Sequence, residues 1–212
     1  MIINFKYNTK KDAEAWVTIA KSKDIYGMNY DYMTNFMPKD LLESIQEIEK
    51  KEAVKLVVSY LNENNQYFKY INLFKNVIQT LWTTKEKEYI EKLEKITKKS
   101  FNFEKITCYI TTGNMCPYNF KNKWFTISIK HSLPHTVKTI AHELLHFQTH
   151  QYYNVSEDIK EALTFLLNEK EFDNILIVKD EGYPRHQEIR KELKKNWKKN
   201  KDFEKLLKIE IK

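Results

Sequence analysis

His142-Glu143-Leu144-Leu145-His146 is the feature that the rest of the chain has to accommodate. On a helix, residues four apart lie one turn apart on the same side, so both imidazoles reach a single metal ion. The surrounding residues demand that helix: Val137, Ile140, Ala141, Leu144 and Leu145 form an apolar face that must be buried. A buried helix carrying two such histidines needs neighbours on its apolar side and a further ligand from another segment. With six histidines among 212 residues, the pattern is expected by chance only about 0.02 times. Glu143 lies about 100° round the helix from His142, close enough to act on a water at the ion without ligating the ion itself.

A catalytic metal site takes a third protein ligand and keeps one position open. His150 is one turn beyond His146, but about 12 Å along the axis from His142, too far for three imidazoles on one straight helix to share an ion. The next helical pattern offers carboxylates. If the motif helix ends near His150, the chain turns over 151–155 and a roughly antiparallel helix starts at Ser156. The climb from His146 to the helix end is about 6 Å and the descent from Ser156 to Glu161 about 7.5 Å. Glu161 is then level with both histidines, while Glu157 and Asp158 stay near the loop. Ala162 beside it lets two helices approach closely. Glu161 is the expected third ligand and Glu157 the reserve.

The run H142-E143-L144-L145-H146 followed by a helical Glu in E161-A162-L163-T164 resembles the gluzincin branch of the zincin metallopeptidases, in its minimal members. The longer metzincin motif is excluded, because Thr149 and Tyr152 stand at its glycine and third histidine positions. The likeness covers residues 105–170, a strand, the motif helix and the Glu helix. It implies one Zn²⁺ ion on His142, His146 and Glu161, Glu143 as general base, and hydrolysis of peptide bonds. It also implies an oxyanion donor from a later segment. Asp180-Glu-Gly-Tyr-Pro-Arg-His186 supplies Tyr183 and His186 for that role, with His186 preferred. In that branch an acidic or polar support for a histidine ligand often follows the Glu by three or four positions, which here are Thr164 and Phe165. A peptide or protein substrate is expected to lie extended along strand 124–130, just ahead of the motif helix. His131 and His135 near that junction are given no catalytic role.

A second reading is a non-catalytic binding module of the same fold, its basic C-terminal helix meeting an anionic partner. Glu143 argues for the enzyme, since a purely structural metal site needs no base beside an open position. The net charge of +7 is concentrated in that tail, where 185–212 hold eleven Lys/Arg against five Asp/Glu. Glu188, Glu192 and Glu204 interleave with the lysines, so a solvated helix face is expected rather than a nucleic-acid surface. No apolar run is long enough for a membrane-spanning helix, and the start lacks the apolar region of a secretory signal, which gives a cytoplasmic expectation. Three glycines leave no phosphate-binding loop, and Cys108 and Cys116 read as reduced thiols.

Periodicity predicts helices over 10–21, from Pro38 to about Leu61, and over 67–81 and 85–98. Strands are predicted at 106–112 and 124–129, then helices at 131–150 and 156–168. A helix opened by Pro184 runs to Asn200, followed by a short turn over 202–209. The expected fold is α+β and predominantly helical, a small β-sheet packed against the motif helix in zincin-like fashion. Residues 1–100 form a helical N-terminal region and 101–212 the catalytic region.

Overall fold

Two parallel strands set the frame: β2 (Ile106–Thr111) and β4 (Trp124–Ser128), in register from Thr107 beside Trp124 to Thr111 beside Ser128. Both are rich in β-branched and aromatic residues, which suit a pleated, packed surface. In this computed structural model, which describes residues 1–22, 24–64 and 67–208, the sheet has four strands in the order β1-β2-β4-β3. β1 (Ile3–Tyr7) pairs parallel with β2, and the two-residue β3 (Tyr118–Asn119) pairs antiparallel with β4.

β1 is a strand inside the region expected to be helical, and the sequence reading did not place it. Its five residues are too few for periodicity to register. Ile3 and Phe5 are buried in the same core as β2, and the Glu86 carboxylate accepts hydrogen bonds from the backbone of Ile2 (2.8 Å) and Ile3 (3.0 Å). Long-range partners therefore fix the strand.

Between β1 and β2 the chain forms α1 (Thr9–Lys21), α2 (Tyr30–Thr34), α3 (Lys39–Glu47), α4 (Lys50–Glu63), α5 (Tyr67–Thr83) and α6 (Glu86–Thr97). The single helix expected from Pro38 to Leu61 is broken at Ile48, whose backbone is extended (φ −104°, ψ 162°). The Lys21 ammonium bonds the Ile48 carbonyl at 2.6 Å, satisfying an acceptor freed by the break. The break lets α3 and α4 both bury their apolar stripes against α1, in a cluster containing Trp16, Ile45, Val57 and Leu61. Asp12 joins α1 to the end of β2, accepting from the Thr111 hydroxyl (2.6 Å) and the Thr112 amide (2.9 Å).

The larger core gathers the sheet, α5, α6 and α7 (Leu133–Tyr152). α7 begins with Ser132 at the N-cap and Pro134 in the first turn, and is buried from Thr136 to Thr149 except at Lys138. α8 (Glu157–Ala162) follows a short turn, then tightens into 3₁₀ geometry over Leu163–Asn168, where an unbroken α-helix was expected. Every one of Leu163 to Leu167 is buried, so packing on all sides overrides the helical period. A 3₁₀ turn at Pro184–His186 leads into α9 (Gln187–Asn200) and α10 (Phe203–Leu207), and Ile209 of the predicted last turn lies outside the described residues. Among the described residues no helix is long and apolar enough to cross a membrane.

Candidate metal centre

The site is built by two consecutive helices. α7 stacks His142 and His146 one turn apart, their ring centroids separated by 4.4 Å. The chain leaves α7 at Tyr153, and the Ser156 hydroxyl accepts from the Ile159 amide to start α8. One and a half turns later Glu161 is level with both imidazoles, as its spacing predicts. Its Oε2 lies 3.2 Å from His142 Nε2 and its Oε1 3.3 Å from His146 Nε2. The three ligand atoms fall within 4.8 Å of one another and all three residues are buried.

These separations suit a metal ion. With bonds to nitrogen and oxygen near 2.0 to 2.1 Å, neighbouring ligands of a tetrahedral ion lie about 3.3 Å apart. His146 Nε2 and Glu161 Oε2 are buried without any hydrogen-bond partner, which would be costly unless something else satisfied them. Two imidazoles and a carboxylate are a borderline-hard donor set of the kind divalent transition ions take. The reserve ligand Glu157 stands apart, accepting from Tyr26 and Lys160. His150 faces the Tyr118 hydroxyl at 2.9 Å.

The support for His142 comes from a residue the sequence did not single out for it. Asp180 Oδ2 lies 3.0 Å from His142 Nδ1, an arrangement that leaves Nε2 facing Glu161. Asp180 is buried, and its Oδ1 accepts from the Thr164 hydroxyl (2.8 Å) and pairs with Arg190 (3.0 Å). Thr164 thus acts on the support rather than on the histidine, and Phe165 is core. Gly182 makes room for the arrangement: at φ +69°, a Cβ there would meet the Arg190 guanidinium at 3.0 Å. The only sequence signal was an acidic residue two positions ahead of a glycine, in a stretch without periodicity.

Burial and charge set the protonation states of the ion-free site. Burial resists charging of His142, but Asp180 and Glu161 outweigh it and raise its pKa to about 10. Burial, with His142 charged nearby, lowers His146 to about 3. Burial also opposes ionisation of Glu161, yet the two histidines hold its carboxyl below the usual carboxylate range. For Glu143 the His142 charge compensates only in part. Burial, with the adjacent Glu161 charge, pushes it up to about 8, and its Oε2 has no partner. Lys160 is wholly buried behind Glu161, its ammonium 3.0 Å from Oε1 and 2.7 Å from the Tyr118 hydroxyl.

His142 and Glu143 form the floor of a cleft of about 530 Å³. Tyr183 lines it, its ring 6.4 Å from that of His142, and burial keeps its phenol protonated far above the ordinary range. His186 does not line the cleft. Asp158 at the start of α8 holds its Nε2 at 2.9 Å, and its ring packs against Tyr26 and Tyr183, so of the two residues expected only Tyr183 lines the cleft.

A second correction concerns the rim. The edge of β4 is covered, since it pairs with β3 and Thr126 donates its amide to the Pro117 carbonyl (3.0 Å). The segment from that side that borders the cleft is 114–116, the irregular stretch ahead of β3. Met28 and Met33 complete that wall, so residues from the N-terminal region shape the site. Cys116 is held as a thiol by burial and by Glu143, its pKa pushed up to about 12. No family model matches the chain, and no curated protein or solved structure matches it.

Proposed function

We propose that the protein is a zinc-dependent peptidase of gluzincin-like, zincin-type fold. One observation carries the reading: three buried ligand atoms converge beside an unpartnered carboxyl, Glu143, on the floor of an open cleft. A structural site would have no use for that carboxyl or for the opening. His142, His146 and Glu161 would hold the ion, with Asp180 orienting His142. Zinc, when bound, supplies Lewis acidity that polarises a peptide carbonyl and brings the pKa of water near neutrality.

The chain's own groups do the rest. Glu143 takes a proton at Oε2 from the attacking water and returns it to the leaving amine, a role open to an oxygen that has no other partner. Tyr183 keeps its proton and is the hydroxyl available to donate to the developing oxyanion. His186 has no access to that position and serves to seat the turn that carries Tyr183. The methionine wall excludes water from one side of the cleft.

The test is metal content together with chelator-sensitive cleavage of a peptide mixture. Glu143→Gln is expected to retain the bound metal and lose at least about a hundredfold in turnover. Unchanged turnover in that variant would refute the assignment of the base.

A further inference from the structure

One cation in the cleft has no role in the chemistry above. Lys138 is on α7, four residues before His142, and faces the same cleft. It is the one residue between Thr136 and Thr149 that is not buried. Among the described residues it makes neither an ion pair nor a hydrogen bond, whereas Lys179 across the cleft is paired to Asp173 at 2.6 Å. Lys130 is on the same wall, and its ammonium rests 3.9 Å over the Phe36 ring rather than on a carboxylate.

Among the described residues no carboxylate forms an ion pair with Lys138 or Lys130, although Asp180 feels the charge of the first and Asp12 that of the second. Asp180 is committed to His142 and Arg190, and Glu143 lies on the floor. Glu181 is exposed at the mouth. A half-buried lysine with no ion-pair partner, in a cleft that Lys130 also lines, gives that side a positive potential which low-dielectric surroundings concentrate.

We propose that this wall is a carboxylate-recognition subsite, with Lys138 as its main contact and Lys130 as support, selecting peptides that carry an acidic group next to the bond cleaved. The placement of the cleaved bond rests on the peptidase reading. One helical turn is about 5.4 Å and an extended peptide advances about 3.3 Å per residue, so the anion belongs one or two residues from the ion. Two sources offer that carboxylate, an Asp or Glu side chain and the free C-terminus of a short peptide.

The experiment measures binding and cleavage separately. Fluorescein-labelled octapeptides, identical except for Asp or Asn at the residues flanking the central bond, are titrated against zinc-loaded Glu143→Gln protein. A second pair ends in a free or an amidated carboxylate three residues after the label. The Asp peptide is expected to bind about fivefold to tenfold tighter at low salt, the range of a partly desolvated charge pair. Adding Lys138→Gln is expected to bring that ratio to about one, and Lys138→Glu to invert it. A preference for the free over the amidated end, with none for Asp, assigns the subsite to the terminal carboxylate. Equal binding of all anionic and neutral partners overturns the proposal, as does a preference that survives Lys138→Gln. If the Asp preference holds but the parent protein with zinc cuts neither peptide, the subsite stands and the peptidase reading falls.

Discussion

Glu143 shows the cost of burying a carboxyl. Its carboxyl is buried, one oxygen has no partner, and its pKa stands at about 8 against an ordinary 4.5. In the ion-free protein the folded state therefore holds this proton more tightly than the unfolded chain does. Stability from this group is fully present below pH 4.5 and is lost as pH rises through about 8. Each pH step of one between those two values removes about 1.4 kcal/mol. Glu143→Gln cannot ionise and keeps the neutral form at every pH. Thermal melts of metal-free protein should give the parent and the variant similar midpoints near pH 4.5, with the variant rising above the parent toward pH 8.5. A constant difference across that range would show that burial of the charge is not the cause. The same substitution is expected to abolish turnover, so this position would trade stability for activity.

At the level of elements, the firmest construction is the anchoring of β1. Glu86 accepts from the amides of Ile2 and Ile3 and from the Trp82 indole, the last two in a buried corner and the first part-buried. Glu86→Ala would leave those donors unsatisfied and is expected to cost about 2 to 4 kcal/mol, read as a lower urea midpoint. A loss under about 0.5 kcal/mol, the level of an ordinary surface change, would mean that β1 is held by its pairing with β2 alone. This element also marks where sequence reading ends. α7, α8 and the position of Glu161 were legible because helical rise and period are local rules, and the two helices are joined by a short turn. β1 was not, because its partners are about a hundred residues away in the chain. Asp180 escaped for the same reason: it acts across the fold on His142, from a segment with no period of its own. Lys138 was in plain sight one turn before His142, but its freedom from any partner is a property of the folded surface.

For the whole molecule, the candidate metal centre is a junction. Glu161 and His146 tie α8 to α7, and Asp180 ties His142 to Thr164 and to Arg190 of α9. An ion binding there acts on the native state alone, because the ligands come together only in the fold, so it stabilises by mass action. At a hundred times its dissociation constant the gain is about 2.7 kcal/mol, and for a chain of this size each kcal/mol moves Tm by about 2 to 4 °C. Chelation should accordingly lower Tm by about 5 to 10 °C, and zinc should restore it. The increment must also depend on pH. In the ion-free site His142 is held charged up to about pH 10 by Asp180 and Glu161, and a ligand imidazole must be neutral at Nε2. Uptake of zinc at pH 7 would therefore displace at least one proton, and the apparent affinity would fall at least about tenfold for every tenfold rise in proton concentration. Differential melts with and without chelator between pH 8 and pH 6 should show the increment shrinking as pH falls, with proton release seen directly by titration in two buffers of different ionisation enthalpy. His146→Ala is the control, since it removes a ligand without touching the His142–Asp180 pair. A chelator-sensitive Tm that persists in His146→Ala would place the ion elsewhere. An increment that grows as pH falls would mean that His142 does not give up its proton to the metal.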